Sequence, residues 1–217
     1  MKKQLLLILL SVLLITTCKK KDADKMTISG NVMDTYFHSS VGNVFVELYA
    51  KKIESGVWSN NYSSLGSLTT DQNGFFSFTF ENIRSSGFKL LFHKSKYFDS
   101  EVLVNSENIE AGKEYKQNYY IFSEAFLKLK VINIIPTSSA DQITYAITDG
   151  FVNNAGCCPD STFTYIGAHV DVTKKCMTYG GAWIKFEWFV TSFGNTLLHK
   201  DSILSVPFDT VLYTISY

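Results

Sequence analysis

Thr69-Thr70-Asp71-Gln72-Asn73-Gly74-Phe75-Phe76-Ser77-Phe78-Thr79-Phe80 is the stretch from which the fold of this chain can be read. Asp71 to Gly74 spells a turn, because Asn and Gly tolerate positive φ and an Asp side chain bonds to neighbouring backbone amides. Beyond the turn, Phe76, Phe78 and Phe80 alternate with Phe75, Ser77 and Thr79. That period of two is the mark of a strand with one buried face.

The same alternation spreads outward in both directions. Upstream, Ile28, Gly30 and Val32 define one strand. Val44, Val46 and Leu48 share a face of the next, with Phe45, Glu47 and Tyr49 on the other. A long loop is expected from Ile53 to Leu65. Downstream, Phe88, Leu90 and Phe92 form a strand, Glu101 to Val104 another, and Tyr115 to Phe122 closes the set. About seven short strands within residues 26–122 point to a sandwich or barrel-like β domain.

Residues 124–217 form a second unit of similar size. Leu127, Leu129, Val131 and Asn133 alternate with Lys128, Lys130 and Ile132. Ile143, Tyr145 and Ile147 share a face, and Ala182, Ile184, Phe186, Trp188 and Val190 alternate with Trp183, Lys185, Glu187 and Phe189. Val211, Tyr213, Ile215 and Tyr217 end the chain as a strand. An immunoglobulin-like sandwich is expected here, joined to the first unit near Ser123-Glu124 without a Gly- or Pro-rich linker. Aromatic content of 15% with only three prolines fits pleated, half-buried surfaces. The expected fold class is all-β, with two consecutive β-sandwich domains.

The amino terminus carries a different signal. Lys2 and Lys3 precede the apolar run Leu5 to Ile15, followed by Thr16-Thr17-Cys18 and the charged segment Lys19 to Lys25. Eleven helical residues rise about 16 Å, half of a hydrocarbon core roughly 30 Å thick, so the run suits an export signal better than a permanent span. Ile15-Thr16-Thr17-Cys18 resembles the lipobox of bacterial lipoproteins, and Lys21-Asp22-Ala23-Asp24 resembles the charged tether of surface lipoproteins in Bacteroidetes-type bacteria. That resemblance implies a signal peptide over 1–17, lipidation of Cys18, a tether over 18–25, and an outer-membrane, cell-surface location with the membrane as partner. Loss of residues 1–17 removes two lysines and leaves 18 basic against 20 acidic side chains. Arg84 is the single arginine. Nucleic acid is therefore not an expected partner, since phosphate binding draws on clustered Lys and Arg.

A second resemblance concerns residues 26–122. Ile28-Ser29-Gly30-Asn31-Val32, Val44-Phe45-Val46-Glu47-Leu48 and the Thr-Asp-x-x-Gly-x-Phe-x-Phe element at Thr70 to Phe78 resemble the carboxypeptidase regulatory-like family. The resemblance implies a transthyretin-like (prealbumin-like) sandwich, a fold in which some members bind sugars, acting as a non-catalytic accessory module.

Candidate chemistry is sparse. Cys157, Cys158 and Cys176 remain beside Cys18, and an oxidising exterior favours a disulfide over a metal site. Adjacent cysteines rarely bridge each other, so one of the pair is expected to join Cys176, with Cys158 preferred beside Pro159. Closing about twenty residues stabilises by roughly 3 kcal/mol on the chain-entropy account. Zinc on Cys157, Cys158, Cys176 and His169 fails the paired spacing of structural sites. Calcium at Asp71 and Asn73 lacks further acids. His38, His93, His169 and His199 are scattered, and no nucleophile elbow or His-Glu-x-x-His occurs. No cofactor is expected.

His169 and Asp171, two apart, would share a strand face and are the seat of the alternative reading, a surface hydrolase with its site in the second unit. The favoured reading is a non-enzymatic surface module for binding or scaffolding, its partners glycans or proteins of a surface complex. Trp58 in the long loop, Tyr62 and Trp183 are the expected ligand contacts, since sugar rings stack on exposed aromatic faces.

Overall fold

The structure, a computed structural model, describes residues 24–54, 57–150 and 161–217. Cys18, Cys157, Cys158 and the side chain of Trp58 lie outside the described residues. Among the described residues no helix is long and apolar enough to cross a membrane.

Two packed sheets make up each half. In the first, β5 (Phe75–Glu81), β1 (Lys25–Asp34) and β8 (Glu114–Ile121) form a three-stranded sheet in that order. The facing sheet runs β4 (Ser63–Thr69), β2 (Phe45–Glu54), β6 (Ser85–His93), β7 (Ser100–Asn105), and the two-residue β3 (Val57–Trp58) pairs with the far end of β2. The turn read from the sequence is there: the Asp71 carboxylate accepts from the Asn73 and Phe75 amides at 2.8 Å each, and Gly74 sits at φ 74°. Val32 N–H donates to the Gly74 carbonyl, which ties the turn to β1. Phe76 and Phe78 are buried as the alternation requires, and Phe76, Phe92 and Tyr119 meet ring to ring at 5.2–5.9 Å.

The expected loop from Ile53 to Leu65 is mostly strand. β2 runs on to Glu54, Ile53 lies opposite Trp58 across β3, and β4 opens at Ser63. The apolar, β-prone Ile53, Val57 and Trp58 let the chain double back on β2 before it rejoins the sheet.

In the second half, β12 (Asp171–Tyr179), β9 (Glu124–Ile132) and β15 (Thr210–Ser216) form one sheet. The other runs β11 (Thr162–Ile166), β10 (Gln142–Asp149), β13 (Trp183–Ser192), β14 (Asn195–Leu204). With the short β3 set aside, both halves have the same architecture. One sheet is fourth-first-seventh, the other third-second-fifth-sixth, and the first and last strands pair in parallel in each. An immunoglobulin constant domain instead sets A-B-E-D against C-F-G, so the immunoglobulin-like expectation for residues 124–217 gives way to a structural repeat of the first half. The cause is the pairing of β9 with β12 and β15 rather than with β10, which leaves β10 to pair with β11 and β13.

Each half has its own core. Ile28, Val46, Leu48, Leu90 and Phe92 belong to one; Leu127, Leu129, Ile143, Tyr145, Phe186 and Ile215 belong to the other. Cys176, fully buried in the second, is disulfide-bonded.

The β9–β10 connection is fastened by one carboxylate. Buried Asp141 accepts from the Thr137 amide at 2.7 Å, the Thr137 hydroxyl at 2.5 Å, Asn133 Nδ2 at 3.1 Å and the Ser138 hydroxyl at 3.2 Å. The Thr137 hydroxyl, and then its amide, hold the Asp141 carboxyl well below the usual carboxylate range. A depressed folded pKa contributes stability above the unfolded value, about 3.9, and loses it as pH falls through the folded one. Asp141→Asn should therefore lower the urea midpoint at pH 7, and its deficit against wild type should narrow steadily below about pH 4. A deficit that stays constant from pH 7 to pH 2.5 refutes that account.

Candidate functional site

The two sandwiches meet end to end. β1 leaves the first at Asp34, and β8 passes through Phe122 and Ser123 straight into β9 at Glu124. Backbone bonds stitch the joint: Glu124 N–H to Lys96 O at 2.8 Å, Phe98 N–H to Phe122 O at 2.9 Å, Gly180 N–H to Ser123 O at 2.7 Å and Phe208 N–H to Glu124 O at 2.7 Å.

Aromatic rings from loops of both halves pack over this seam. Tyr179 lies 4.4 Å from Phe122 and 4.9 Å from Phe98, ring centre to ring centre. Phe208 stacks on Phe37 at 6.3 Å and meets Tyr97 edge-on at 5.3 Å. Asp34 shapes the loop that carries Tyr36 and Phe37, its carboxylate accepting both their amides at 2.7 and 2.8 Å. Burial, reinforced by Asp34, pushes the Tyr97 phenol up to about 12, so it stays protonated.

A shallow groove of about 160 Å³ opens at the seam, walled by Thr35, Tyr36, Phe122, Tyr179, Gly181 and Ala182. Tyr36 and Phe37 are 44% and 53% exposed, and Trp183, one residue beyond the groove wall, is 57% exposed. The seam thus offers flat apolar faces beside a few hydroxyls. Such a surface can stack rings and donate single hydrogen bonds; it holds no nucleophile with a base.

The expected contact residues fare differently. Trp183 is on the surface, at the start of β13 opposite Leu204. The half-buried Tyr62 ring is covered by the Lys51 and Lys89 ammonium groups, 4.9 and 4.7 Å from its centre, which competes with a sugar for the same face. Trp58 sits in β3, and its side chain is outside the described residues.

The geometry does not join His169 to Asp171 on a strand face. His169 lies in the turn after Gly167, before β12 begins at Asp171, and Asp171 pairs with Lys130 at 3.3 Å. The chain re-enters the sheet only where the Val170 carbonyl accepts from Asn133 N–H, so His169 stays outside.

Sequence reasoning missed two polar clusters. On the outer face of the first sandwich, the Tyr49 hydroxyl donates to Glu47 at 3.0 Å, and His93 lies between Glu47 at 3.4 Å and Asp99 at 2.9 Å. His93 thus ties together β2, β6 and the loop that carries Asp99. On the second sandwich, a depression of about 280 Å³ is lined by Thr148, Lys185, Glu187, Lys200, Asp201 and Ser202. Its charges are matched: Lys185 with Asp149 at 2.8 Å, Lys200 with Glu187 at 2.6 Å, and Asp201 accepting from the Tyr213 hydroxyl at 2.6 Å. Cross-strand register brings these residues together, and nothing in their sequence spacing announces it. Among the described residues no three His, Cys, Asp or Glu side chains converge to hold a metal ion.

No protein-family model matches the chain, and no curated protein sequence matches it. Among solved structures it is similar to 3-chlorocatechol 1,2-dioxygenase from Rhodococcus opacus, at 14% identity over 48% of this chain and 62% of that one, with a TM-score of 0.35. It is similar to a streptococcal ancillary pilin at 12% identity over 90% of this chain and 62% of that one, with a TM-score of 0.34. A minor pilin of Streptococcus agalactiae is similar at 13% identity over 88% of this chain and 94% of that one, with a TM-score of 0.32. The chain spans about three fifths of the length of the first two. At these scores none of the likenesses carries an argument about function.

Proposed function

We propose that the chain is a non-catalytic module, tethered at the bacterial cell surface by a lipid on Cys18, that binds glycans along the aromatic seam between its two sandwiches. The observation that carries this reading is the pair of exposed rings Tyr36 and Phe37, 5.1 Å apart, at a shallow groove on a joint braced by both halves, with exposed Trp183 following the groove wall in sequence. Apolar C–H faces of a sugar pack on such rings, and Thr35 at the groove wall, whose hydroxyl donates to the Ile121 carbonyl at 3.0 Å, keeps an oxygen lone pair to accept from a sugar hydroxyl. The carboxypeptidase regulatory-like resemblance of residues 26–122 supports an accessory role and fits the two-sheet architecture found there. Trp58 is a further contact in this reading. The Cys176 partner is taken to be Cys158.

A glycan array probed with residues 19–217 tests the proposal. Trp183→Ala should weaken any hit about five- to tenfold, in line with the roughly 1–1.5 kcal/mol that one stacked ring contributes. Trp58→Ala is the comparison. The tether is checked in the producing cells by palmitate incorporation, present in wild type and lost in Cys18→Ser. An array without a hit rejects the glycan assignment and directs the search to proteins of a surface complex.

A further inference from the structure

β14 differs from the other strands: residues 195–202 are exposed on both faces, although the strand makes an unbroken ten-residue pairing with β13. It is the outer strand of its sheet. Its counterpart in the first half, β7, is shorter and buries Val104. Natural sheet edges are usually blunted by brevity, proline, a bulge or charge; β14 is long and has no proline or bulge, and its two charges, Lys200 and Asp201, are engaged by Glu187 and the Tyr213 hydroxyl. Its exposed side chains include Leu197 at 63% and Leu198 at 49%, and the turn that leads into it carries Phe193 at 81%.

The turn fixes which backbone groups point outward. Phe193 and Gly194 have φ of 50° and 78°, a two-residue turn of the type I′ family closed by the Ser192–Asn195 pair. Asn195 therefore bonds to Ser192, and hydrogen-bonded pairs recur at every second residue along the hairpin. The N–H and C=O groups of Thr196, Leu198, Lys200 and Leu204 and the C=O of Ser202 face away from β13 and end at the open edge, while the Ser202 N–H donates to the neighbouring Asp201 carboxylate at 2.7 Å.

We infer that β14 is a dimerisation edge, pairing antiparallel with β14 of a second copy about a twofold axis through Lys200. Directly opposite residues then share a face. Leu197 meets Ile203 of the second copy, and His199, stacked on its own Trp188, meets the edge of Asp201 of the second copy, whose carboxylate already accepts from Tyr213 and Ser202 and keeps lone pairs for one more donor, so apolar matches apolar and imidazole matches carboxylate on one face. On the other face Leu198 lies opposite Ser202 and Thr196 opposite Leu204. The two Lys200 side chains meet at the axis, and each is already neutralised by its own Glu187 at 2.6 Å. The same register carries the Phe193–Gly194 turn towards Val206 and Pro207 of the second copy, and Val206 is 47% exposed. A twofold interface needs such self-complementarity, and this strand supplies it over nine consecutive residues. The result is a continuous sheet through both molecules.

Sedimentation equilibrium of residues 24–217, which hold every described strand and both cores, tests this. Wild type should dimerise at micromolar concentration. Leu198→Pro removes an outward N–H and no bond to β13, and should weaken association at least tenfold; Leu198→Lys serves if the proline variant loses its circular-dichroism signature. Lys200→Cys should give a disulfide-linked dimer under mild oxidation, because opposed α-carbons of such a pair lie about 5.5 Å apart. Thr196→Cys, which has Leu204 opposite, should not. A chain that stays monomeric near millimolar concentration, or a dimer indifferent to Leu198 and without the Lys200→Cys link, overturns the inference. The first of these outcomes would leave the edge to a strand of another protein.

Discussion

Gly30→Val should unfold the first sandwich under conditions where the wild type is fully native. Gly30 lies inward on β1, and a Cβ there would strike the Gln117 carbonyl of the paired β8 and sit 2.6 Å from the Tyr119 ring. Neither neighbour can give way. The carbonyl belongs to the parallel β1–β8 ladder, and Tyr119 is fully buried between Phe76 and Phe92. A forced shift of a central strand is among the few single changes expected to exceed about 4 kcal/mol, a large part of the stability of a domain this size. Gly30→Ala should produce the same defect at smaller size. Urea unfolding followed by tyrosine fluorescence and circular dichroism decides it, and a Gly30→Val midpoint equal to wild type would refute the close-approach argument.

Phe186→Ala should be the corresponding lesion in the second sandwich. Phe186 is 1% exposed and stacks on Tyr213 at 4.3 Å with rings 4° from parallel. Tyr213 in turn donates to Asp201, and burial together with that carboxylate raises its phenol pKa, so the hydroxyl remains a donor at any physiological pH. Removing the Phe186 ring leaves a cavity against the parallel β9–β15 pair and costs about 3–5 kcal/mol. For a unit of this size, calorimetry should show a fall in the melting temperature of more than about 10 °C. The first core shares no residue with the second, so Phe76, Phe92 and Tyr119 should keep their near-ultraviolet signature at temperatures where the variant's second half has melted. Simultaneous loss of both signatures would mean that the seam couples the halves into one cooperative unit.

The seam matters to the functional proposal for the same reason. Rings on two independently folded units make a binding surface only if the units hold a fixed relation. Tyr179 against Phe98 and Phe122, with Phe208 between Phe37 and Tyr97, supplies contacts of that kind. These residues lie in loops and strand ends, where side-chain identity follows no period, and so none of them stood out in the sequence. Trp183 was legible as a candidate because it falls on the charged side of an alternating strand. Tyr62 was legible as an aromatic in a polar stretch, but the two lysines above it come from β2 and β6 and are brought there by pairing.

Much of the strand content could be read directly. Val46 and Leu48 are inward and Glu47 and Tyr49 outward, Phe76 and Phe78 are buried, and Leu127, Leu129 and Val131 line the second core as their alternation says. β14 escaped notice because both of its faces are exposed, which leaves Asn195-Thr196-Leu197-Leu198-His199-Lys200 without alternation. β12 was legible only at its start, Asp171, for a related reason: Lys174 and Lys175 lie on opposite faces and cover Phe163 and Phe126 with their ammonium ends.

Local residue order alone determined the all-β class, the inward face of most strands and the Asp71–Gly74 turn, because burial with period two and positive-φ tolerance are properties of a few consecutive residues. Only the tertiary structure decided which strands are neighbours, that the second half repeats the first, and that aromatic loops close the joint. Those outcomes depend on contacts between residues dozens of positions apart, such as β1 with β8 and β9 with β15, and no local pattern encodes a partner at that distance.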